Sequence, residues 1–388
     1  MDFDFTDEQR QLREAVESFA AKEYGFEHLR SVKRSGAGWD PAVWRGLAEL
    51  GVTALNVPAS LGGLGFGAIE TLALMDGCGP SLLLEPVHTS ALVATALLRQ
   101  FAGSASADEL LRAMAAGDRI AALAHFEPRS RFDAEWVETR AAADGGGIRL
   151  DGEKAVVAHA GLADVLVVSA RTGGEARDAQ GLALYLVPRD TPGVKLIEYL
   201  TVDGQRAADV HLDAARVPEG NRLGGQGSAL PAIESALDFG LAALCAEAVS
   251  IMQALVRATV DYLNTRQQFG QPIGRFQALQ HRVADMTVHL EQARSMSYLA
   301  AVRCAAPDLK DRRRALSAAK VIIAEAARFI GQQSVQLHGG MGMTDELQVS
   351  HWFKRLTAIE ILFGDGDFHL QRYAALTAAA DSVQNYRA

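Results

Sequence analysis

Residues Tyr262 to Met286 read YLNTRQQFGQPIGRFQALQHRVADM, and they lie where one long apolar helical pattern ends and another begins. At the centre, Arg266-Gln267-Gln268-Phe269-Gly270 puts a cation, two amides, an aromatic ring and a helix breaker into five residues. A guanidinium is a planar fork of donors suited to phosphate. A phenyl ring can pack on an aromatic ligand. The group suits a large ligand that is partly anionic and partly aromatic, although the same five residues also describe a surface arginine and a helix-ending glycine.

Working outward, the chain from Pro231 to Leu376 is helical in pattern, with helices expected near 231–265, 276–305, 309–338 and 346–361 and a last one after His369. Two loops interrupt it, Phe269 to Arg275 and His338-Gly339-Gly340-Met341-Gly342. The stretch Ala236 to Val256 is apolar enough to suggest a membrane span. It carries Asp238 and Glu247, however, and is better read as a buried core helix.

Upstream, between about Arg119 and Pro218, short apolar runs alternate with turn formers. Ile120–Ala124, Ile148–Leu150, Val156–Ala158, Val165–Ala170 and Leu182–Val187 are separated by segments such as Asp144-Gly145-Gly146-Gly147 and Thr172-Gly173-Gly174. This spacing predicts an antiparallel β domain of sandwich or barrel type. It closes at the glycine-rich exit Leu223-Gly224-Gly225. The first 115 or so residues are helical again. Thr6 and Gln9 form a T-x-x-Q start signal, a helix over Pro41–Leu50 stops at Gly51, and helices resume near Ala68 and His88. The expected fold is therefore mostly α with a middle β domain, divided at 1–118, 119–228 and 229–388.

The bulk composition agrees with a globular protein. The chain has 388 residues, 49% hydrophobic and 22% charged, with net charge −9 and pI about 5.6. That balance argues against nucleic acid as a main partner, which would need clustered basic surface. Cys78, Cys245 and Cys304 are odd in number and far apart, so neither a disulfide framework nor a metal knuckle is expected, and a reducing cytosol is. The acidic N-terminal MDFDFTDEQRQ does not read as a signal peptide.

Three further places can carry chemistry. Glycines in His338-Gly339-Gly340-Met341-Gly342 let backbone approach a ligand or aim N–H groups at an anion; the plain alternative is a helix cap. Glu247 lies in the most apolar helix, where desolvation would raise its pKa and suit it as a general base, unless it faces solvent or pairs with a buried arginine. Asp365, Asp367 and His369 fall together in Gly364-Asp365-Gly366-Asp367-Phe368-His369, a catalytic loop or a capping turn.

With these residues assembled, the whole chain resembles the acyl-CoA dehydrogenase superfamily. RQQFGQPIGRFQALQHRVADM is similar to its flavin-binding signature and VQLHGGMGMTDE to its second signature; VPASLGGLG and VPEGNRLGGQG also fit. The resemblance implies an α-β-α layout and FAD held between a β domain and a C-terminal four-helix domain, usually in a dimer of dimers. Arg266 and Phe269 would contact the pyrophosphate and adenine end of FAD, with Gln277 nearby. Gln336, Gly339 and Gly340 would reach the adenosine part of the FAD of a neighbouring subunit. Ala124-His125-Phe126-Glu127-Pro128 resembles the flavin-facing segment, with Phe126 where the family has a hydroxyl residue, and Val157-Ala158-His159-Ala160 resembles a second flavin-facing strand.

The implied reaction is α,β-dehydrogenation of an acyl-CoA to the trans-2-enoyl-CoA, with electrons passed to an electron-transferring flavoprotein. A carboxylate removes the α-proton. In many members it belongs to a Glu-Gly-Thr segment; a gap-free count from Gln336 puts Phe363 there, and a two-residue insertion puts Asp365 there. Other members use the position corresponding to Gly240. Glu247 is about two helical turns further along nearly the same face. Its CAEAV context is similar to a bacterial subgroup of pimeloyl-CoA dehydrogenase small subunits and steroid acyl-CoA dehydrogenases, some of which place the base at the position of Glu247; the resemblance thus implies Glu247 as the base, with Asp365 as the alternative. That subgroup implies a bacterial cytoplasmic protein, in a homo-oligomer or in a heterotetramer where a second chain carries part of the chemistry. An oxidase of the same fold is the further alternative.

Overall fold

Thr6 opens the first helix as the sequence predicts. Its hydroxyl accepts from Gln9 N–H while the Gln9 side chain accepts from Thr6 N–H, a reciprocal capping box. The computed structural model describes residues 5–225 and 228–384; Gln226 and Gly227 of the glycine-rich exit lie outside the described residues. In chain order the helices are α1 (Asp7–Glu23), α2 (Phe26–Ser35), α3 (Pro41–Glu49), α4 (Ala68–Cys78), a π-helix (Val87–Ala94) continued by α5 (Thr95–Leu98), and α6 (Ala105–Ala115). The strands β1 (Ala121–Ala124), β2 (Arg140–Asp144), β3 (Gly147–Ala158), β4 (Val165–Arg171), β5 (Leu182–Pro188), β6 (Val194–Leu200), β7 (Arg206–Pro218) and β8 (Arg222–Leu223) follow. Then come α7 (Leu230–Thr265), a small hairpin of β9 (Gln267–Gln268) and β10 (Gln271–Pro272), α8 (Gln277–Arg303), α9 (Leu309–His338), α10 (Gln348–Ile361) and α11 (Gly366–Gln384). The chain is helical, then β, then helical, as expected.

The residues pack into two compact units. One comprises residues 1–30, 68–83 and 241–388; the other comprises 31–67 and 84–240. In the first, α9 is central and packs against α8, α10 and α11, while α4 packs against α1 and α8. Asp308 caps α9 by accepting from Asp311 N–H. The apolar stretch of α7 is 83% buried within the protein, which satisfies its hydropathy without a membrane.

The second unit holds the sheet, in the order β6-β7-β3-β2-β4-β5-β8 with β1 beside β4. β4 and β5 are buried along nearly their whole length and read as continuous apolar runs, so the sequence shows them plainly. β6 and β7 alternate charged and apolar residues and were not foreseen as strands. The two short strands expected at Ile148–Leu150 and Val156–Ala158 are one strand, β3, bent by register shifts at Leu150/Gly152 and Lys154/Val157. The sheet is also not purely antiparallel: β1 runs parallel to β4, and β2 meets it in parallel at Arg140↔Arg171.

Candidate functional site

The signature loop of the first unit folds as a two-residue hairpin. Gln268 pairs with Gln271, and between them Phe269 and Gly270 both hold positive φ (54° and 77°), which defines a type I′ turn. Gly270 adopts that geometry without cost; a phenylalanine does not. The turn aims the Phe269 ring into solvent, 89% exposed and edge-on to Phe276 at 5.9 Å. The Arg266 side chain makes no hydrogen bond or ion pair among the described residues. Phe276 then begins α8 without any side-chain cap, and Gln277 is exposed at its first position. An uncapped helix N-terminus next to an unpaired guanidinium is suited to an anion.

The second signature loop lies at the end of α9. Gln336, Gly339 and Gly340 are exposed, Gly339 has φ 61°, and a Cβ at either glycine would meet nothing. Behind them His338 is buried. Its Nδ1 is 2.8 Å from the Ser334 carbonyl and its ring stacks on Tyr262 at 4.5 Å. Burial lowers the His338 pKa, so the ring is neutral and donates from Nδ1. The stack joins the end of α7, where the hairpin starts, to the end of α9. The structure thereby brings together the two signature loops that the sequence places about 70 residues apart.

Glu247 is buried as expected, but it is not a free carboxylate. Arg355 of α10 grips both oxygens, Nε to Oε1 at 2.6 Å and Nη2 to Oε2 at 2.8 Å. The second of the two alternatives open for this residue, a buried ion pair, is the one observed. Asp365 is half-buried, and its Oδ1 accepts from Phe368 N–H at the start of α11. Next to this turn Lys320, 1% exposed, donates to the carbonyls of Ile359 and Leu362 at the end of α10. Burial pushes its pKa down to about 8. His369 is buried and turned toward Ser317 and the Phe363 carbonyl.

In the second unit, the segment after β1 is fastened from behind. Glu127 accepts from Glu138 N–H, Thr139 N–H, the Thr139 hydroxyl and Lys154 Nζ at 2.6–3.0 Å. Lys154 Nζ also donates to the His125 carbonyl and to Ser169 Oγ. Burial lowers Lys154 to about 8, with Glu127 acting in the opposite direction. Between His125 and Glu127, Phe126 contributes no hydroxyl. On the neighbouring strand, Val156 has φ 53° and is 56% exposed; its N–H is taken by Asp209 Oδ1. A positive φ on a β-branched residue is a genuine backbone outlier, of a kind found at functional sites.

Sequence reasoning missed a group at the start of the π-helix. Glu85 is 3% exposed; Oε1 accepts from Asp40 N–H and Oε2 has no partner among the described residues. Burial raises its pKa to about 7. His88 Nε2 lies 2.8 Å from the Gly240 carbonyl. Thr89 Oγ1 reaches Nδ1 of His159, whose Nε2 faces the Leu84 carbonyl and Gln205 Oε1. The available signal was Leu82-Leu83-Leu84-Glu85-Pro86-Val87-His88, two ionisable residues inside an apolar run.

A separate cavity of about 310 Å³ in the first unit is lined by Arg10, Arg13, Asp76, Gln253 and Arg294, among others. Its guanidiniums are matched by Asp7, Asp76 and Glu291, so it has no unbalanced charge to offer an anion.

The helical–β–helical order is the one the family resemblance implies, and the exposed arginine–phenylalanine hairpin and the open glycine loop are the two signature segments. Family models for the N-terminal, middle and C-terminal domains of acyl-CoA dehydrogenase match residues 6–118, 122–214 and 227–376. The probable acyl-CoA dehydrogenase YngJ of Bacillus subtilis is 30% identical, over 96% of this chain and 98% of its own. A variant of the Tcur3481-Tcur3483 steroid ACAD superposes with TM-score 0.86 at 28% identity, covering 97% and 99% of the two chains. The ChsE4-ChsE5 complex from Mycobacterium tuberculosis gives 0.85 at 25% identity, with the same coverage. The chain belongs to the acyl-CoA dehydrogenase family.

Proposed function

We propose that this protein is a cytoplasmic FAD-dependent dehydrogenase that converts an acyl-CoA to its trans-2-enoyl thioester and passes the electrons to an electron-transferring flavoprotein. The observation that carries the flavin assignment is the hairpin: an unpaired Arg266 and a solvent-facing Phe269 beside the uncapped start of α8. These residues fit the adenosine diphosphate end of FAD. Arg266 and the α8 N-terminus supply donors for the pyrophosphate, Phe269 a face for the adenine, and Gln277 an amide nearby. Gln336, Gly339 and Gly340 offer an amide and bare backbone to an adenosine group. Bound FAD supplies a hydride acceptor. Arg266→Ala should weaken FAD binding by about 10–100-fold, the span for a charged hydrogen-bonded contact. Flavin fluorescence titration measures this, and unchanged affinity removes Arg266 from the site. The activity itself is tested by anaerobic bleaching of the bound flavin with straight, branched, dicarboxylic and steroid acyl-CoAs; a flavin that none of them bleaches refutes it.

A second reading is favoured by one observation. Phe126 and Ala158 bring no hydroxyl to the segments that resemble the flavin-facing strands, and Ala155 and Val156 already commit their N–H groups to the Phe126 carbonyl and to Asp209. On this reading the chain is one subunit of a heteromeric acyl-CoA dehydrogenase, and a second chain holds the flavin ring. Expression alone separates the two. A yellow, bleachable homo-oligomer supports the first reading. A colourless chain that becomes yellow only when co-expressed with a second acyl-CoA dehydrogenase chain supports the other.

A further inference from the structure

The cavity of about 310 Å³ in the first unit shares no lining residue with the two signature loops. Its walls come from the start of the chain and from α1, α4, α7 and α8. Its three guanidiniums are not equally occupied. Arg10 donates to the Phe5 carbonyl and to Asp7, and Arg294 donates to Glu291 and Gln253. Arg13 donates no hydrogen bond among the described residues. Its Nε is buried without a partner, and its Nη1 is 3.6 Å from Asp76 Oδ2, close enough for attraction between charges but too long for a hydrogen bond. Asp76 is short of partners in turn: burial raises its pKa, with Arg13 and Arg294 acting in the opposite direction. Ser297 of α8 is 3% exposed, lines the same cavity and has no hydrogen-bond partner among the described residues. A cation, an anion and a hydroxyl, each short of partners, therefore open on one space. Much of the remaining wall is apolar, with Leu72, Val249 and the Tyr298 ring, and the Arg13 guanidinium lies 6.0 Å from the centre of the Phe5 ring.

We propose that this cavity binds a free α-amino acid with an apolar side chain. The charges lining it are balanced, so a simple anion would meet Asp76 and a simple cation would meet Arg13. A zwitterion satisfies both: its carboxylate accepts from Arg13 and its ammonium donates to Asp76. One carbon separates the two charges of an α-amino acid, which suits partners as close together as these. The Ser297 hydroxyl supplies a further donor for the carboxylate. The side chain is left against Leu72, Val249 and Tyr298, where removing apolar surface from water adds to the affinity. The volume is at the small end of ligand pockets, roughly 300–1,000 Å³. A ligand held there ties α1 and α4 to α8 and stabilises the first unit by mass action.

The test titrates the full chain with L-leucine and L-phenylalanine by isothermal calorimetry, beside isovalerate and isoamylamine, which carry one charge each. One of the two amino acids should bind and raise the melting temperature as its concentration rises. The single-charge probes should bind at least about 10-fold more weakly, and Asp76→Asn should weaken amino-acid binding by about 10–100-fold. Because Asp76→Asn can also loosen the packing of α1 on α4, Val249→Phe provides a second check. It leaves both charges in place, narrows the apolar part of the cavity and should weaken binding as well. The absence of binding by both amino acids at millimolar concentration, equal binding of a single-charge probe, or unchanged affinity in either variant overturns the assignment. None of these outcomes touches the dehydrogenase reading, which flavin bleaching tests separately.

Discussion

At the scale of single residues, burial alone does not make a carboxylate reactive. Glu247 and Glu85 are both enclosed, yet their neighbours give them opposite characters. Glu247 meets a guanidinium at both oxygens. Glu85 meets no cation among the described residues but only backbone such as the Asp40 N–H, and burial raises its pKa to about 7. Arg355→Met should strand the Glu247 charge and cost about 3–5 kcal/mol in chemical denaturation, and adding Glu247→Leu should recover much of that loss. A full-stability Arg355→Met protein contradicts this picture. For Glu85 the folded pKa of about 7 lies above the usual 4.5, so the folded chain keeps a proton that the unfolded chain releases. Stability is therefore present below about pH 4.5 and is lost as the pH rises through about 7, by about 3 kcal/mol for this group. The stability difference between wild type and Glu85→Gln should change by that amount across the window. A difference that is flat with pH shows that Glu85 does not titrate there.

At the scale of elements, the helices were legible where local chemistry matched the fold. Thr6 with Gln9 announced a helix start and Gly51 an end, whereas Asp40 and Asp308, which cap α3 and α9, show their role only in the structure. β4 and β5 were legible because both faces are buried. β7 was not, because Asp209, His211, Asp213 and Arg216 interrupt its apolar positions, and only tertiary pairing with β3 reveals its register. The signature loops could be marked by their residues, but periodicity could not show that the Arg266 loop is a type I′ hairpin. Nor could it show that Glu247 faces Arg355, more than a hundred residues away, or that His88 faces Gly240. Val156 gives a direct test at this scale. Glycine adopts φ 53° without strain, so Val156→Gly should change stability little or raise it by about 1 kcal/mol, although the same exchange in an ordinary strand is destabilising. A large loss would mean that the exposed side chain is packed in solution.

At the scale of the whole molecule, Phe269 is exposed and the Arg266 side chain has no partner among the described residues, so this surface is open to an occupant. If that occupant includes a second chain, binding stabilises by mass action and the melting temperature should rise with protein concentration as well as with added FAD. A melting temperature independent of both would mean that the hairpin stands alone.

The two enclosed lysines have a consequence in the chemistry of the substrate. A thioester is an activated acyl donor, and neutral amines within reach of it become acylated. Burial lowers Lys154 and Lys320 to about 8, so each carries more free amine at neutral pH than an ordinary lysine. Enclosure creates that reactivity and also withholds it, since Lys154 is 0% and Lys320 1% exposed. Prolonged incubation with acyl-CoA should therefore acylate surface lysines such as Lys354 and spare these two, as peptide mass spectrometry would show. Acylation at Lys154 or Lys320 in folded protein would mean that the interior opens to its own reagent.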